Sequence, residues 1–184
     1  TRPEYLKIKP ILKENPSLNS LFIKQHVDII NFGEPTHFVE VDNVCENRLN
    51  SIFEQIHLKA EKIIKDYENI VIQGDTATVA AMALTAYNLK KKIFYIEAGL
   101  RSFDLQNPFP EEGYRQMVSR IATVNFCPTE LSAQNLKDEK VLGDIHITGN
   151  TSLDNLVNQK QTSFYGKDIL ITLHRNENLH LIDK

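Results

Sequence analysis

Ile70-Val71-Ile72-Gln73-Gly74-Asp75-Thr76 is an apolar run closed by a glycine and an acid. About one βαβ unit later, Ile93-Phe94-Tyr95-Ile96-Glu97-Ala98-Gly99-Leu100-Arg101 repeats the pattern. Short, near-continuous apolar runs of this kind predict buried parallel strands. Each run delivers a carboxylate where the strand gives way to a loop. In open α/β sheets the ligand crevice lies outside those carboxyl ends. Two acids brought there by neighbouring units make a place to move protons on a bound small molecule.

Outward from these runs, strand alternates with helix. The spacing predicts a helix over 3–14, kinked at Pro10, and a short strand at Leu21-Phe22-Ile23. Residues 32–43 read as loop, with Gly33 and Pro35 as breakers. Leu49, Ile52, Phe53, Ile56, Ala60, Ile63 and Ile64 recur at helical spacing within 44–67. Strand 69–73, helix 76–89 and strand 92–97 follow, with Thr76 as N-cap of that helix. Residues 103–110 form a loop carrying Asn107-Pro108-Phe109-Pro110, and Glu111-Glu112 opens the next helix. A strand near 124–126, a helix capped by Thr129, a strand at 145–148 and a short helix after Gly149-Asn150-Thr151 complete the pattern. Residues 158–166 read as a linker, and Ile169 to Leu173 as another strand. The fold class is α/β, a parallel sheet covered on both faces.

The chain has 184 residues, of which 41% are hydrophobic and 24% charged, the composition of a packed globule. That length suits one full domain and part of another. Residues 1–157 read as a Rossmann-like domain lacking its first strand, and 167–184 as the start of a truncated second domain. The net charge of -3 gives no pull toward nucleic acid or an anionic membrane. No apolar run approaches spanning length. The two cysteines, Cys45 and Cys127, make no metal-spacing pattern and fit a reducing cytoplasm.

Each candidate residue has a plain structural alternative. Asp75 beside Gly74 stands at a helix N-terminus that favours an anion, or it merely caps that helix. Glu97 closes a very apolar strand as an acid or base, or it pairs structurally with Arg101. Glu111 and Glu112 are ordinary helix-start chemistry, with Arg115 one turn on, unless the proline-flanked loop before them is a substrate lid. His174-Arg175 follows a strand end and suits a phosphate or a general acid. The histidines at 26, 37, 57, 146 and 180 show no ligand spacing, so no metal site is expected. The common dinucleotide, ATP-loop and serine-hydrolase signatures are all absent.

Eight pieces in order give the chain a wider likeness. They are Thr1-Arg2-Pro3-Glu4 with Lys7; Gln25-His26; Gln73-Gly74-Asp75-Thr76; Glu97-Ala98-Gly99-Leu100-Arg101; Pro110-Glu111-Glu112 with Arg115; Pro128-Thr129-Glu130; Thr148-Gly149-Asn150-Thr151; and His174-Arg175. Together they resemble the non-hydrolysing UDP-N-acetylglucosamine 2-epimerases, over the first domain of that family and the start of its second.

The resemblance implies two Rossmann-like domains facing a cleft, in the glycosyltransferase-B-like manner. It implies interconversion of UDP-N-acetylglucosamine and UDP-N-acetylmannosamine with no cofactor and no metal. The route would be anti elimination of UDP, then re-addition with protonation from the other face. Asp75, Glu97 and Glu111 would form the acid/base set with His174 assisting, the face served by each left open. Arg2 and Lys7 would lie on the UDP side, and Gln25 and His26 in a possible allosteric site. A cytoplasmic homodimer is implied, with a UDP-sugar as partner and neither nucleic acid nor membrane. Val27 stands where bacterial relatives follow Gln-His with a basic residue, which puts allosteric control in doubt; Asn176 replaces a basic residue common after His-Arg. The alternatives are an epimerase of a related UDP-2-acetamido sugar, or an inactive truncated relative acting as a binding module. The hydrolysing branch is disfavoured by the form of residues 97–101. The 184 residues alone are expected to bind UDP poorly and turn over little.

Overall fold

In a computed structural model, the described residues are 2–24 and 36–155. Helix α1 (Arg2–Glu14) leads into strand β1 (Leu21–Lys24), which pairs in parallel with β2 (His37–Glu40). Next come α2 (Arg48–Ile64), β3 (Asn69–Gln73), α3 (Ala77–Asn88), β4 (Lys92–Ile96), α4 (Glu111–Ile121), β5 (Val124–Cys127), α5 (Glu130–Asp138) and β6 (Asp144–Ile147). A 3-10 turn, Leu153–Asn155, ends the described part. Strands β3-β4-β5-β6 form a four-stranded parallel sheet in sequential order, and β1-β2 form a separate pair.

The segment 32–43 is not all loop. β2 lies inside it, and only Val39 of its four residues is buried. A strand with one inward residue carries almost no alternation signal, and the Gly33 and Pro35 breakers stand just before it. Pro10 lies within α1, which continues to Glu14. The expected linker and the strand at 169–173 lie outside the described residues.

Local chemistry explains the helices. Asn47 caps α2, its side chain accepting from the Leu49 and Asn50 N–H groups at 2.9 and 3.3 Å. Ile52, Ile56, Ala60 and Ile64 form the buried stripe of that helix. Helix α3 packs between α2 and α4. Its Ala80, Ala81, Ala83 and Ala86 are all fully buried, and small side chains let the flanking helices approach closely. Thr76 occupies the N-cap position of α3 but makes no side-chain capping bond. Thr129 does cap α5, accepting from the Ser132 N–H at 3.1 Å. One apolar cluster joins α2, α3, β3, β4 and the inner faces of α4 and α5. At about 25 cal/mol per Å² of apolar surface removed from water, that cluster is the main stabilising term.

Gly99 fixes how tightly the edge after β4 is packed. Its φ is +81°, and a Cβ there would stand 2.2 Å from the Ser132 carbonyl oxygen. Only glycine lets α5 lie against this turn.

Candidate active site

The register sets Gln73 opposite Ile96. Asp75 and Glu97 therefore leave adjacent strands at the same carboxyl edge. Gly74 turns the chain with φ +86°, its N–H donating to the Ile96 carbonyl at 3.3 Å. A Cβ at Gly74 would meet nothing within 4 Å, so the backbone conformation is what calls for glycine here.

Glu97 itself has φ +67°. A non-glycine residue held in the left-handed region costs on the order of 1–3 kcal/mol and marks functional sites more often than framework. The surroundings hold it there. Lys7 Nζ, from α1, donates to Glu97 Oε1 at 2.7 Å and to Oε2 at 2.6 Å. Gln73 Nε2 donates to Oε2 at 2.5 Å. Glu97 does not pair with Arg101. The Arg101 guanidinium is fully buried and binds Glu139 on two sides, Nε at 2.6 Å and Nη2 at 2.9 Å. It pins the loop after β4 to α5. Lys7, expected on the UDP side, is thus engaged by one of the expected acid/base residues.

Asp75 does not cap α3; its Oδ2 accepts from Nη2 of Arg115 on α4. Arg115 Nη1 stands 3.5 Å from Glu112 Oε2. Asp75, Glu111 and Arg115, together with Gln106, Asn107, Pro108 and Phe109, line one open cleft of about 560 Å³. A second, smaller recess beside it is lined by Lys7, Glu97, Pro128 and Gly149 to Thr151. The loop before α4, for which a substrate lid is the functional alternative, walls the larger cleft. Its Phe103 and Phe109 are exposed, at 69% and 66%.

The two acids at the start of α4 part company. Glu111 faces the cleft and, among the described residues, has no cationic partner. Glu112 is completely buried. Burial alone would push its carboxyl up, but hydrogen bonds from the Ser102 N–H, the Gln116 side chain and the Phe103 N–H outweigh that and hold it below the ordinary value. Tyr95 lies buried beneath the same edge. Burial first, and the Asp75 carboxylate second, push its hydroxyl up, so it remains protonated at neutral pH.

Among the described residues, three of the five buried side-chain polar atoms lacking a hydrogen bond lie at this edge, Gln73 Oε1, Thr76 Oγ1 and Arg115 Nε; the other two belong to Asn125 on β5. Unpaired buried groups in such a place are available to a ligand. No group of three or more His, Cys, Asp or Glu side chains among the described residues could hold a metal ion. Arg2 opens α1; Gln25, His26 and His174 lie outside the described residues.

A sequence profile described as UDP-N-acetylglucosamine 2-epimerase matches residues 19–181. The chain belongs to the UDP-N-acetylglucosamine 2-epimerase family. It is 33% identical to the UDP-N-acetylglucosamine 2-epimerase of Campylobacter jejuni over 97% of this chain and 55% of that protein. The crystal structure of the Neisseria meningitidis UDP-GlcNAc 2-epimerase bound to UDP-GlcNAc superposes with a TM-score of 0.78 at 29% identity, over 85% of this chain and 46% of that one. The Methanocaldococcus jannaschii UDP-GlcNAc 2-epimerase in complex with UDP-GlcNAc and UDP gives 0.72 at 30% identity, over 85% and 47%. The chain spans about half the length of these relatives.

In this member of the epimerase family, the residues named from the motifs fall in two places: Asp75 and Glu111 line the larger cleft, and Lys7 and Glu97 line the smaller recess. Gln73 and Glu112 were named only as parts of motifs, without the pairings the fold gives them, Gln73 to Glu97 and Glu112 to the loop amides. Gln73 could have been found as a polar residue at the last position of an otherwise apolar strand. Arg115 was visible only as a cation one turn beyond Glu111.

Proposed function

We propose that this chain carries the acid/base half of an enzyme interconverting UDP-N-acetylglucosamine and UDP-N-acetylmannosamine. The observation that carries this reading is the placement of Asp75 and Glu97 on one sheet edge, with Glu111 lining the same cleft as Asp75. Two solved members of the family with matching folds are described with UDP-GlcNAc bound.

The C2 proton of the sugar is only weakly acidic, because no carbonyl is adjacent. A positioned base must take it as UDP departs. The C2–H electron pair then forms the C1–C2 double bond, and the C1–O bond breaks with its pair leaving on UDP. Re-addition reverses these events, with UDP oxygen bonding to C1 and a proton reaching C2 on the opposite face. This needs acid groups on both sides of the sugar. Glu111, without a cationic partner among the described residues, lines the cleft with its carboxylate unpaired by a cation. Asp75 and Glu97 are each tied to a cation, Arg115 and Lys7, which fixes them in place. Those cations also offset charge building on a leaving diphosphate. His174 assists, and Arg2 serves the nucleotide side. Gln25 and His26 belong to a second, allosteric site.

In the same reading, residues 1–157 form the N-terminal Rossmann-like domain. The second, UDP-holding domain begins at residue 167, after a linker over 158–166, and the enzyme works as a cytoplasmic homodimer. No helix among the described residues is long and apolar enough to cross a membrane. The chain's coverage of about half of each relative leaves room for a second domain.

The test is to incubate the full-length protein with UDP-N-acetylglucosamine in heavy water and follow it by proton NMR. Loss of the C2 proton signal with a new UDP-N-acetylmannosamine species is expected. Free N-acetylmannosamine plus UDP would move the protein to hydrolysis. No exchange at all would overturn the reading for this sugar, and a panel of related UDP-2-acetamido sugars would follow.

A further inference from the structure

We propose that Glu112 is a positioning residue of this site, a buried carboxylate that clamps the start of the 102–110 loop and braces Arg115 against Asp75. The proposal rests on the acid/base reading above and adds a residue to it.

Glu112 has no exposed surface. A carboxylate is costly to bury unless its lone pairs are satisfied, and here they are. Oε2 accepts from the Ser102 N–H at 3.0 Å, and Oε1 from the Phe103 N–H at 3.3 Å. Gln116 Nε2 donates to Oε1 at 2.7 Å. The two backbone amides belong to a turn that chain connectivity alone does not favour, since Phe103 has φ +59°. Glu112 thus over-determines a strained turn from which the wall of the cleft departs. At the far end, the Glu112 N–H donates to the Pro108 carbonyl at 3.1 Å. One residue therefore holds both ends of the segment that lines the cleft.

The second function follows from Arg115. Its guanidinium reaches Asp75 through Nη2 and faces Glu112 through Nη1 at 3.5 Å. Arg115 is thereby set between a buried anion behind and a cleft-facing anion in front. Moving the rear charge moves the front contact. Successive helical residues lie about 100° apart around the axis. Glu111 can face the cleft while Glu112, one residue on, faces inward.

The experiment uses the full-length protein with Glu112→Gln, and Gln116→Leu as a milder variant that leaves the carboxylate in place. Two quantities are read: hydrogen exchange at the Ser102 and Phe103 amides, and kcat and KM for UDP-N-acetylglucosamine epimerisation. Glu112→Gln should speed exchange at both amides and lower kcat roughly 10- to 100-fold, with KM within about twofold. Gln116→Leu should move both quantities the same way by less. Faster exchange with unchanged kcat would make Glu112 a framework residue only and overturn the proposal. Unchanged exchange would overturn the clamp itself. If Glu112→Gln does not fold, Gln116→Leu is judged by the same criteria. A wild-type protein that never epimerises this sugar would sink the functional reading, while the amide arm would still decide whether the clamp exists.

Discussion

Lys7 and Glu97 lie 90 residues apart in sequence, yet the Lys7 ammonium touches both Glu97 carboxylate oxygens, at 2.7 and 2.6 Å. This contact ties α1 to the turn after β4. The pair is neither open to solvent nor sealed, with side chains 29% and 16% exposed. Its worth therefore falls between that of surface pairs and that of fully buried ones.

Replacing Lys7 with methionine keeps the aliphatic stem and removes the charge. Stability should fall by about 1–3 kcal/mol. Glu97→Gln should cost a similar amount, and Lys7→Met combined with Glu97→Gln should cost less than the sum, because both remove one contact. Urea unfolding of the four proteins closes this cycle. Strict additivity would mean the contact carries no energy. On the proposed reading, epimerase activity of the full-length protein should fall steeply in both single variants, since Glu97 loses either its charge or its anchor.

The glycines separate crowding from backbone conformation. Gly99→Ala meets the Ser132 carbonyl at 2.2 Å with φ +81°, so the variant should be severely destabilised, by more than about 3 kcal/mol. Gly74→Ala has φ +86° but open space around it and should cost only about 1 kcal/mol. Gly113→Ala lies inside α4 with nothing within 4 Å and should stabilise by about 0.5–1 kcal/mol. Thermal melts of the three variants should rank them in this order. A Gly99→Ala protein that melts with the wild type would show that α5 does not press on this turn.

Most of the sheet was legible because β3 and β4 are continuous apolar runs whose edges are marked by Gly74 and by Glu97. The placement of Asp75 and Glu97 at one edge followed from that periodicity and from topology, whereas Glu111 joined them only through the family resemblance. The pairings did not. Arg101 finds Glu139, 38 residues on, and Asp75 finds Arg115, 40 residues on. Local spacing favoured Glu97–Arg101 and a helical Glu111–Arg115 pair instead. Such partners are chosen by how α4 and α5 pack on the sheet, which no short window records. β2 escaped for the opposite reason: with only Val39 turned inward, its burial leaves almost no pattern to read.

Acid should loosen the cleft before it unfolds the domain. The Glu112 carboxyl is held below its ordinary value of about 4.5. A group with a depressed folded value stabilises fully above its unfolded value, and that stabilisation is lost as pH falls through the folded one. Protection of the Ser102 and Phe103 amides should hold down to about pH 5 and drop below about pH 4.5. Melting temperature should begin to fall over the same range, and less steeply in Glu112→Gln. A protection profile in Glu112→Gln that still drops with the wild-type midpoint would assign the transition to another carboxyl.

The two thiols should differ sharply toward an aromatic disulfide reagent. Cys127 is completely buried on β5, and burial pushes its thiol up to about 11. The thiolate is the reactive form, so Cys127 should react only when the domain opens. Cys45 is partly exposed, but its Sγ donates to Glu54 Oε2 at 3.1 Å. That hydrogen bond, helped by partial burial, raises its value as well. Native protein at pH 8 should therefore release about one equivalent of reagent slowly, and the second only in denaturant. Glu54→Gln should quicken the first phase without touching the second, because it removes the carboxylate that holds the Cys45 proton. Two fast equivalents from native protein would mean that β5 is open to solvent, contrary to its place in the middle of the sheet.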